Sequence, residues 1–151
     1  GVSNFTPERL VDLCMNQEFK PMVNQIEIHP FFQQNTALRV MEDYGVVPQA
    51  WAPLSEAQKD IFNHKTLAKI ADRHGKTAAQ VILRWHLQRK IPTIPKTVHR
   101  GRMAENLDVF DFELTAKEME SIAGMDIGHS EIIDHHCFCT ARQLNSVKIH
   151  T

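Results

Sequence analysis

The alternation of strand-like and helix-like segments restricts the fold of this chain more than any single motif does. Met22 to Ile28 alternates apolar and polar residues with the period of two that a pleated strand imposes. Val46 to Leu54 reads as another strand with its exit loop, and Ile91 to Pro95 as a last one. Gly1-Val2-Ser3-Asn4-Phe5 opens the sequence as though in the middle of a strand. Between these runs lie helical patterns with their own start and stop signals. Thr6 is expected to cap a first helix, with Pro7 in its first turn and Leu10, Leu13 and Cys14 on one face. Asn35 is expected to cap a second, with Leu38, Met41 and Tyr44 inward and Gly45 at its end. Asn63 is expected to cap a third that ends near His74-Gly75. Thr77 to Gln80 and Thr115 to Glu118 are capping boxes for two more, turning Val81, Ile82 and Trp85, then Met119, Ile122 and Ala123, inward. Strand, helix, strand, helix, strand, two helices, strand, helix is the order of a parallel α/β unit with right-handed crossovers.

With 151 residues, 42% hydrophobic and 23% charged, the chain can bury one core. A net charge of −1 excludes a dedicated nucleic-acid binder, whose basic surface would show in the total. No apolar run reaches the length of a spanning helix, and the first residues lack the layout of a signal peptide. Three cysteines, Cys14, Cys137 and Cys139, are an odd number that suits reduced thiols better than a disulfide framework. The expectation is a cytoplasmic protein with no membrane partner.

Chemistry concentrates between Ile94 and Leu114. Lys96, Arg100 and Arg102 place three positive charges within seven residues, just after an apolar run that should emerge from the core. A helix beginning near Arg100 would add free backbone donors and the positive end of its dipole. Charge and spacing alone fit either a phosphate grip or a solvated basic loop. The string IPKTVHRGRMAEN is, however, similar to the cofactor-phosphate segment of the aldo-keto reductases, NADPH-dependent carbonyl reductases built on a (β/α)8 barrel. The resemblance implies that Lys96, Thr97, Val98 and Arg102 hold the adenosine 2′-phosphate and that Glu105 and Asn106 meet the adenine. A phosphate suits fixed donors and a bidentate guanidinium, so NADP(H) is implied over NAD.

Other stretches carry the same likeness. GVSNF resembles the fifth barrel strand of that family, which implies that Ser3 and Asn4 bind the carboxamide of the nicotinamide ring. Asn24 to Pro30, reading NQIEIHP, resembles the sixth and makes Gln25 a second carboxamide partner. Asn24, Glu27 and His29 are expected to form a polar network in the barrel mouth, with His29 a candidate to line the substrate pocket. Trp51 takes the place on the seventh strand where an aromatic residue, often Tyr, stacks on the nicotinamide face. Ala52 stands where Ser is more usual, and Leu54 and Ser55 would follow along the pyrophosphate. Ser55 to Asn63 reads as a short polar loop where some relatives carry a longer flap. All these positions fall at or near carboxyl ends of predicted strands, the face on which a (β/α)8 barrel carries its active site.

The fold implied is α/β, the C-terminal half, strands 5 to 8 with their helices, of a TIM barrel. Residues 1–125 form the NADP-binding half-barrel and residues 126–151 the tail and substrate loop. In the family the proton donor is a Tyr tuned by Lys and Asp with a His nearby, all on the first half of the barrel. Here the single tyrosine, Tyr44, lies in a predicted helix, so no catalytic residue is assigned. The expectation is an aldehyde or ketone reductase whose chain is inactive alone and accepts a small carbonyl substrate only when completed. A non-catalytic NADP(H)-binding module and an inert truncated fragment are the alternatives. Two open strand edges predict a dimer, or a complement with an N-terminal half. In the tail, Asp134-His135-His136-Cys137 matches the signature of membrane palmitoyltransferases, which requires spans and a cysteine-rich zinc domain not found here. A zinc site from His135, His136, Cys137 and Cys139 has suitable ligand types at too compressed a spacing, so no metal is expected.

Overall fold

The period-two run after Met22 becomes the middle strand of a parallel sheet. In the computed structural model, which describes residues 1–135 and 137–147, the strands are β1 (Val2–Ser3), β2 (Val23–Glu27) and β3 (Val47–Trp51). Their order is β1-β2-β3, with Ser3 opposite Gln25, Gln25 opposite Gln49, and Glu27 opposite Trp51. The helices are α1 (Pro7–Asn16), α2 (Asn35–Tyr44), α3 (Lys65–His74), α4 (Ala78–Gln88), α5 (Arg100–Leu107), α6 (Ala116–Ala123) and α7 (Phe138–Ser146). Ile26, Ile28 and Ala50 from the sheet region meet Leu10, Met41, Leu67, Ile82, Trp85 and Ile91 in one buried cluster. Each such fully buried aliphatic or aromatic side chain contributes roughly 1.5–3 kcal/mol, which outweighs the weak local preferences of these short elements.

The expected fourth strand, Ile91 to Pro95, is reduced to a single parallel bridge between Thr93 and Ala50. Ala50 N–H donates to Pro92 O at 2.8 Å, but Pro92 has no N–H to return to β3, so the ladder does not extend back towards Ile91. Between β3 and α3 the chain does not form a plain loop. Ser55–Asn63 makes short 3-10 turns in which Ser55, Glu56, Ala57, Lys59 and Asp60 all take φ between 48° and 60°.

Helix ends follow the local chemistry, with exceptions. Thr6 Oγ1 accepts from Arg9 N–H, both capping boxes close, and Gly45 and Gly75 end α2 and α3 at φ 68° and 62°. Asn35 is not a cap but the first residue of α2, after Gln34 at φ 57°, and its Oδ1 accepts from Arg89 Nη2 at 2.8 Å. Asn63 likewise caps nothing: its Nδ2 donates to Asp60 Oδ1 at 2.7 Å, and α3 starts at Lys65. Ala123 is exposed, leaving Ile122 and Met119 as the inner face of α6.

The segment after α6 is tied to the sheet. Gln33 Nε2 donates to Ile122 O at 2.7 Å, and Ile127 N–H donates to Phe31 O at 2.9 Å. Cys137 and Cys139 are disulfide-bonded across the start of α7, contrary to the expectation of reduced thiols; a Cα separation of 5.3 Å brings them within bridging reach. Cys14 is free and buried. Among the described residues no helix is long and apolar enough to cross a membrane, and no three His, Cys, Asp or Glu side chains are grouped as metal ligands. His136 of the zinc motif lies outside the described residues.

Candidate functional site

Two clusters form on the carboxyl side of the strands. The first spans the ends of β1, β2 and β3. Asn4, directly after β1, takes a left-handed backbone with φ 56°, which Asn tolerates better than most residues. Its N–H donates to Gln25 O at 2.9 Å, and Ser3 Oγ donates to the same carbonyl at 3.1 Å. Trp51 Nε1 donates to Asn4 Oδ1 at 2.7 Å, linking the outer strands over β2. Gln25 Nε2 donates to Gln49 Oε1 at 2.6 Å, a cross-strand pair that the register sets up. Ser3, Asn4, Gln25 and Trp51 are thus brought together, with Gln49 a participant that sequence reading missed. Its alternation with Trp51 along β3 was the available signal.

Beside this cluster the expected polar network divides in two. Glu27, 2% exposed, accepts from Ser130 Oγ at 2.6 Å and lies 2.9 Å from His29 Nε2. Both carboxylate oxygens are therefore engaged, as burial of such a group demands. Asn24 belongs elsewhere, bonding the backbone of Phe5 through both ends of its amide at 2.9 and 3.3 Å. His29 is buried against Glu27 and does not line the adjoining cavity of about 270 Å³, which is walled by Asn4, Glu27, Phe32, Ser130, Asp134 and His135 among others. The His135 ring stands edge-on to Trp51, centroids 6.1 Å apart at 85°. Lys59 and Glu131 form an ion pair at 2.6 Å between the 3-10 segment and the tail.

The second cluster is a cavity of about 460 Å³ lined by Leu54, Lys96, Thr97, Arg102, Glu105 and Asn106, with Glu56, Ala57, Phe62 and Thr77 completing much of its wall. A neighbouring cavity of about 340 Å³ shares Leu54, Glu56 and Lys96 and reaches Ala52 at the exit of β3. Val98 departs from the group: its side chain is 73% exposed and lines neither cavity. Arg100 does not line them either. Among the described residues Lys96 and Arg102 have no ion-pair partner, whereas nearby Lys76 pairs with Asp108 and Asp111 at 2.8 Å each and Arg84 with Glu113 at 3.1 Å.

The position of α5 explains the convergence. Gln80 Nε2 donates to Glu105 O at 3.2 Å and to Asp108 O at 2.8 Å, and Thr77 Oγ1 donates to Glu105 Oε1 at 2.6 Å. The start of α4 thereby holds α5 against it. No side chain caps α5, and its first backbone bond of the α type runs from Met103 N–H to His99 O, so first-turn donors stay open near Thr97 and Arg102. Two uncommitted cations beside open helix donors suit a phosphate dianion, with Glu56 and Glu105 confining that charge to one part of the cavity. Thr77, Ala57 and Phe62 were not legible as wall residues, because each is contributed by a segment that sequence alone cannot fold back onto α5.

The sequence profile of the aldo/keto reductase family matches residues 1–127. This chain belongs to the aldo/keto reductase family. It is 43% identical over 123 residues to the 9,11-endoperoxide prostaglandin H2 reductase of Trypanosoma cruzi, covering 81% of this chain and 44% of that protein. To the glyoxal reductase of Bacillus subtilis it is 42% identical over 126 residues, covering 83% and 45%. A crystal structure of an aldo-keto reductase of Bombyx mori in complex with NADP superposes with a TM-score of 0.82 at 29% identity, covering 89% of this chain and 46% of that one. The chain thus spans about half the length of the relatives it matches.

Proposed function

We propose that this chain is the C-terminal half, strands 5 to 8 with their helices, of an NADPH-dependent reductase of aldehydes or ketones, and that it holds the cofactor. The observation that carries this reading is the meeting of Lys96, Thr97, Arg102, Glu105 and Asn106 on one cavity at the start of α5, with both cations unpaired among the described residues. Lys96 and Arg102 with the open N–H groups would hold the 2′-phosphate, and Glu105 and Asn106 the adenine. Val98 contributes main chain only. Leu54 lines the way towards β3, where Trp51 offers a ring face, and Ser3, Asn4 and Gln25 offer hydrogen-bonding groups to the nicotinamide carboxamide. When bound, the dinucleotide supplies hydride; the protein's own task here is to fix the ring and the phosphate.

Among the described residues no tyrosine stands at the strand ends to serve as proton donor. Tyr44 lies half-buried in α2, with Lys20 Nζ 5.6 Å from its ring centroid, away from the strand ends. That placement favours a second reading, an NADP(H)-binding unit with no turnover by itself. In the first reading a small carbonyl substrate is reduced only when a chain resembling the other half of a relative, or a second copy, completes the barrel.

Titration of the isolated chain with NADPH and NADH, followed by cofactor fluorescence, tests the binding. NADPH is expected to bind more tightly, and Lys96→Ala or Arg102→Ala to erode that preference about 10-fold to 100-fold, the worth of one charge-assisted contact. Equal affinity for the two dinucleotides sinks the assignment. Adding the N-terminal half of a relative should then restore aldehyde-dependent NADPH oxidation; binding without turnover would leave the second reading standing.

A further inference from the structure

We propose that Trp51 and Gln49 are positioning residues that preset the side-chain amides of Asn4 and Gln25, so that the site reads a primary carboxamide in one orientation. The inference rests on the NADP(H) reading above and adds to it a polarity. An indole N–H can only donate. With Trp51 Nε1 2.7 Å away, the atom of Asn4 facing it must be the oxygen, and Asn4 Nδ2 is left with two hydrogens that no described residue accepts. The backbone secures the same geometry: Asn4 is held at φ 56° and its N–H is bonded to Gln25 O at 2.9 Å.

On β2 the complementary half is set. Gln25 Nε2 donates to Gln49 Oε1 at 2.6 Å, from the residue directly opposite in the register, which leaves Gln25 Oε1 without a donor among the described residues. A primary carboxamide carries one acceptor oxygen and one NH2 group. Asn4 therefore faces the oxygen as a donor and Gln25 faces the NH2 as an acceptor. The indole N–H lies in the ring plane, so this bond leaves the face of Trp51 for stacking. A tyrosine at this place would have a hydroxyl that both donates and accepts, and would not impose the choice.

The test compares three ligands on the full chain: NADP+, its 3-acetylpyridine analogue, in which a methyl replaces the NH2, and 2′-phospho-ADP-ribose, which has no ring. Unmodified protein should bind the analogue about 5-fold to 10-fold more weakly than NADP+, as one hydrogen bond is lost. Equal affinity overturns the proposal without any variant. Trp51→Phe should reduce the advantage of NADP+ over 2′-phospho-ADP-ribose, and should add no further loss when Asn4 is already Leu. Additive losses would mean that Trp51 acts by stacking alone, and would overturn the positioning role. Gln49→Leu should shrink the discrimination between NADP+ and the analogue while leaving 2′-phospho-ADP-ribose binding unchanged; an unchanged discrimination counts against Gln49. If 2′-phospho-ADP-ribose binds and the ring adds nothing, this proposal fails while the phosphate site stands. If neither it nor NADP+ binds, the NADP(H) reading falls, and this proposal with it.

Discussion

His86 in α4 has Nδ1 2.9 Å from Ile82 O and Nε2 3.0 Å from Ile28 O, inside the packed layer between helix and sheet. Burial dominates over those two carbonyls and pushes its pKa down to about 4. A folded-state value below the ordinary 6.5 means that the unfolded chain binds the proton first, so the stabilisation is fully present above pH 6.5 and is lost as pH falls towards 4. Between pH 7 and 5 the loss should be roughly 2 kcal/mol in urea unfolding, and His86→Gln should flatten that slope. A slope that survives the substitution would assign it to another group. Glu118 adds a lower window. Its burial favours the neutral acid, but the Thr115 N–H, the His74 ring and the Thr115 hydroxyl outweigh this and hold the carboxyl at about 2. Its contribution is present above pH 4.5 and disappears as pH falls through 2. Neither role was visible in sequence. His86 follows Ile82 by one helical turn on the inner face, but a polar residue beside Trp85 gives no sign of the carbonyl of Ile28, just past β2, that it will meet.

At the level of elements, local chemistry was readable and long-range completion was not. Thr6, Thr77, Thr115, Gly45 and Gly75 act where expected because a cap is decided within four residues. The expected last strand shrinks to one bridge because its apolar pair, Ile91 and Ile94, gives the pattern of a strand while Pro92 removes a donor the ladder needs. The cationic segment from Lys96 to Arg102 was legible as charge; that α4 would press α5 against it through Gln80 and Thr77 was not. Thr77→Ala should cost about 1 kcal/mol in unfolding free energy as a lost cap. It should also weaken NADPH binding, because Glu105 loses its 2.6 Å donor. Unchanged affinity would show that α5 keeps its place without α4. The 3-10 segment offers the opposite case. Ala57 sits at φ 60° with no glycine to relieve it, so Ala57→Gly should raise stability by about 0.5 kcal/mol, the left-handed penalty removed less the added freedom of the unfolded chain. A lower melting temperature would mean that the methyl packs against the cavity wall more than the backbone resists it.

Across the whole molecule the sheet is asymmetric. Among the described residues β1 pairs only with β2, so its outer side presents unpaired peptide groups, whereas β3 is bridged by Thr93. Such an edge calls for a companion. Sedimentation of the isolated chain should show mass rising with concentration, and addition of an N-terminal half should suppress that rise by taking the same edge. A monomer at all concentrations that also ignores the added half would remove the edge from the account of assembly. The prolines on either side of Thr93 then have a meaning beyond one missing ladder. They thin the far border to one bridge without sealing it, so closing this open arc into a barrel would need a companion that meets both borders at once.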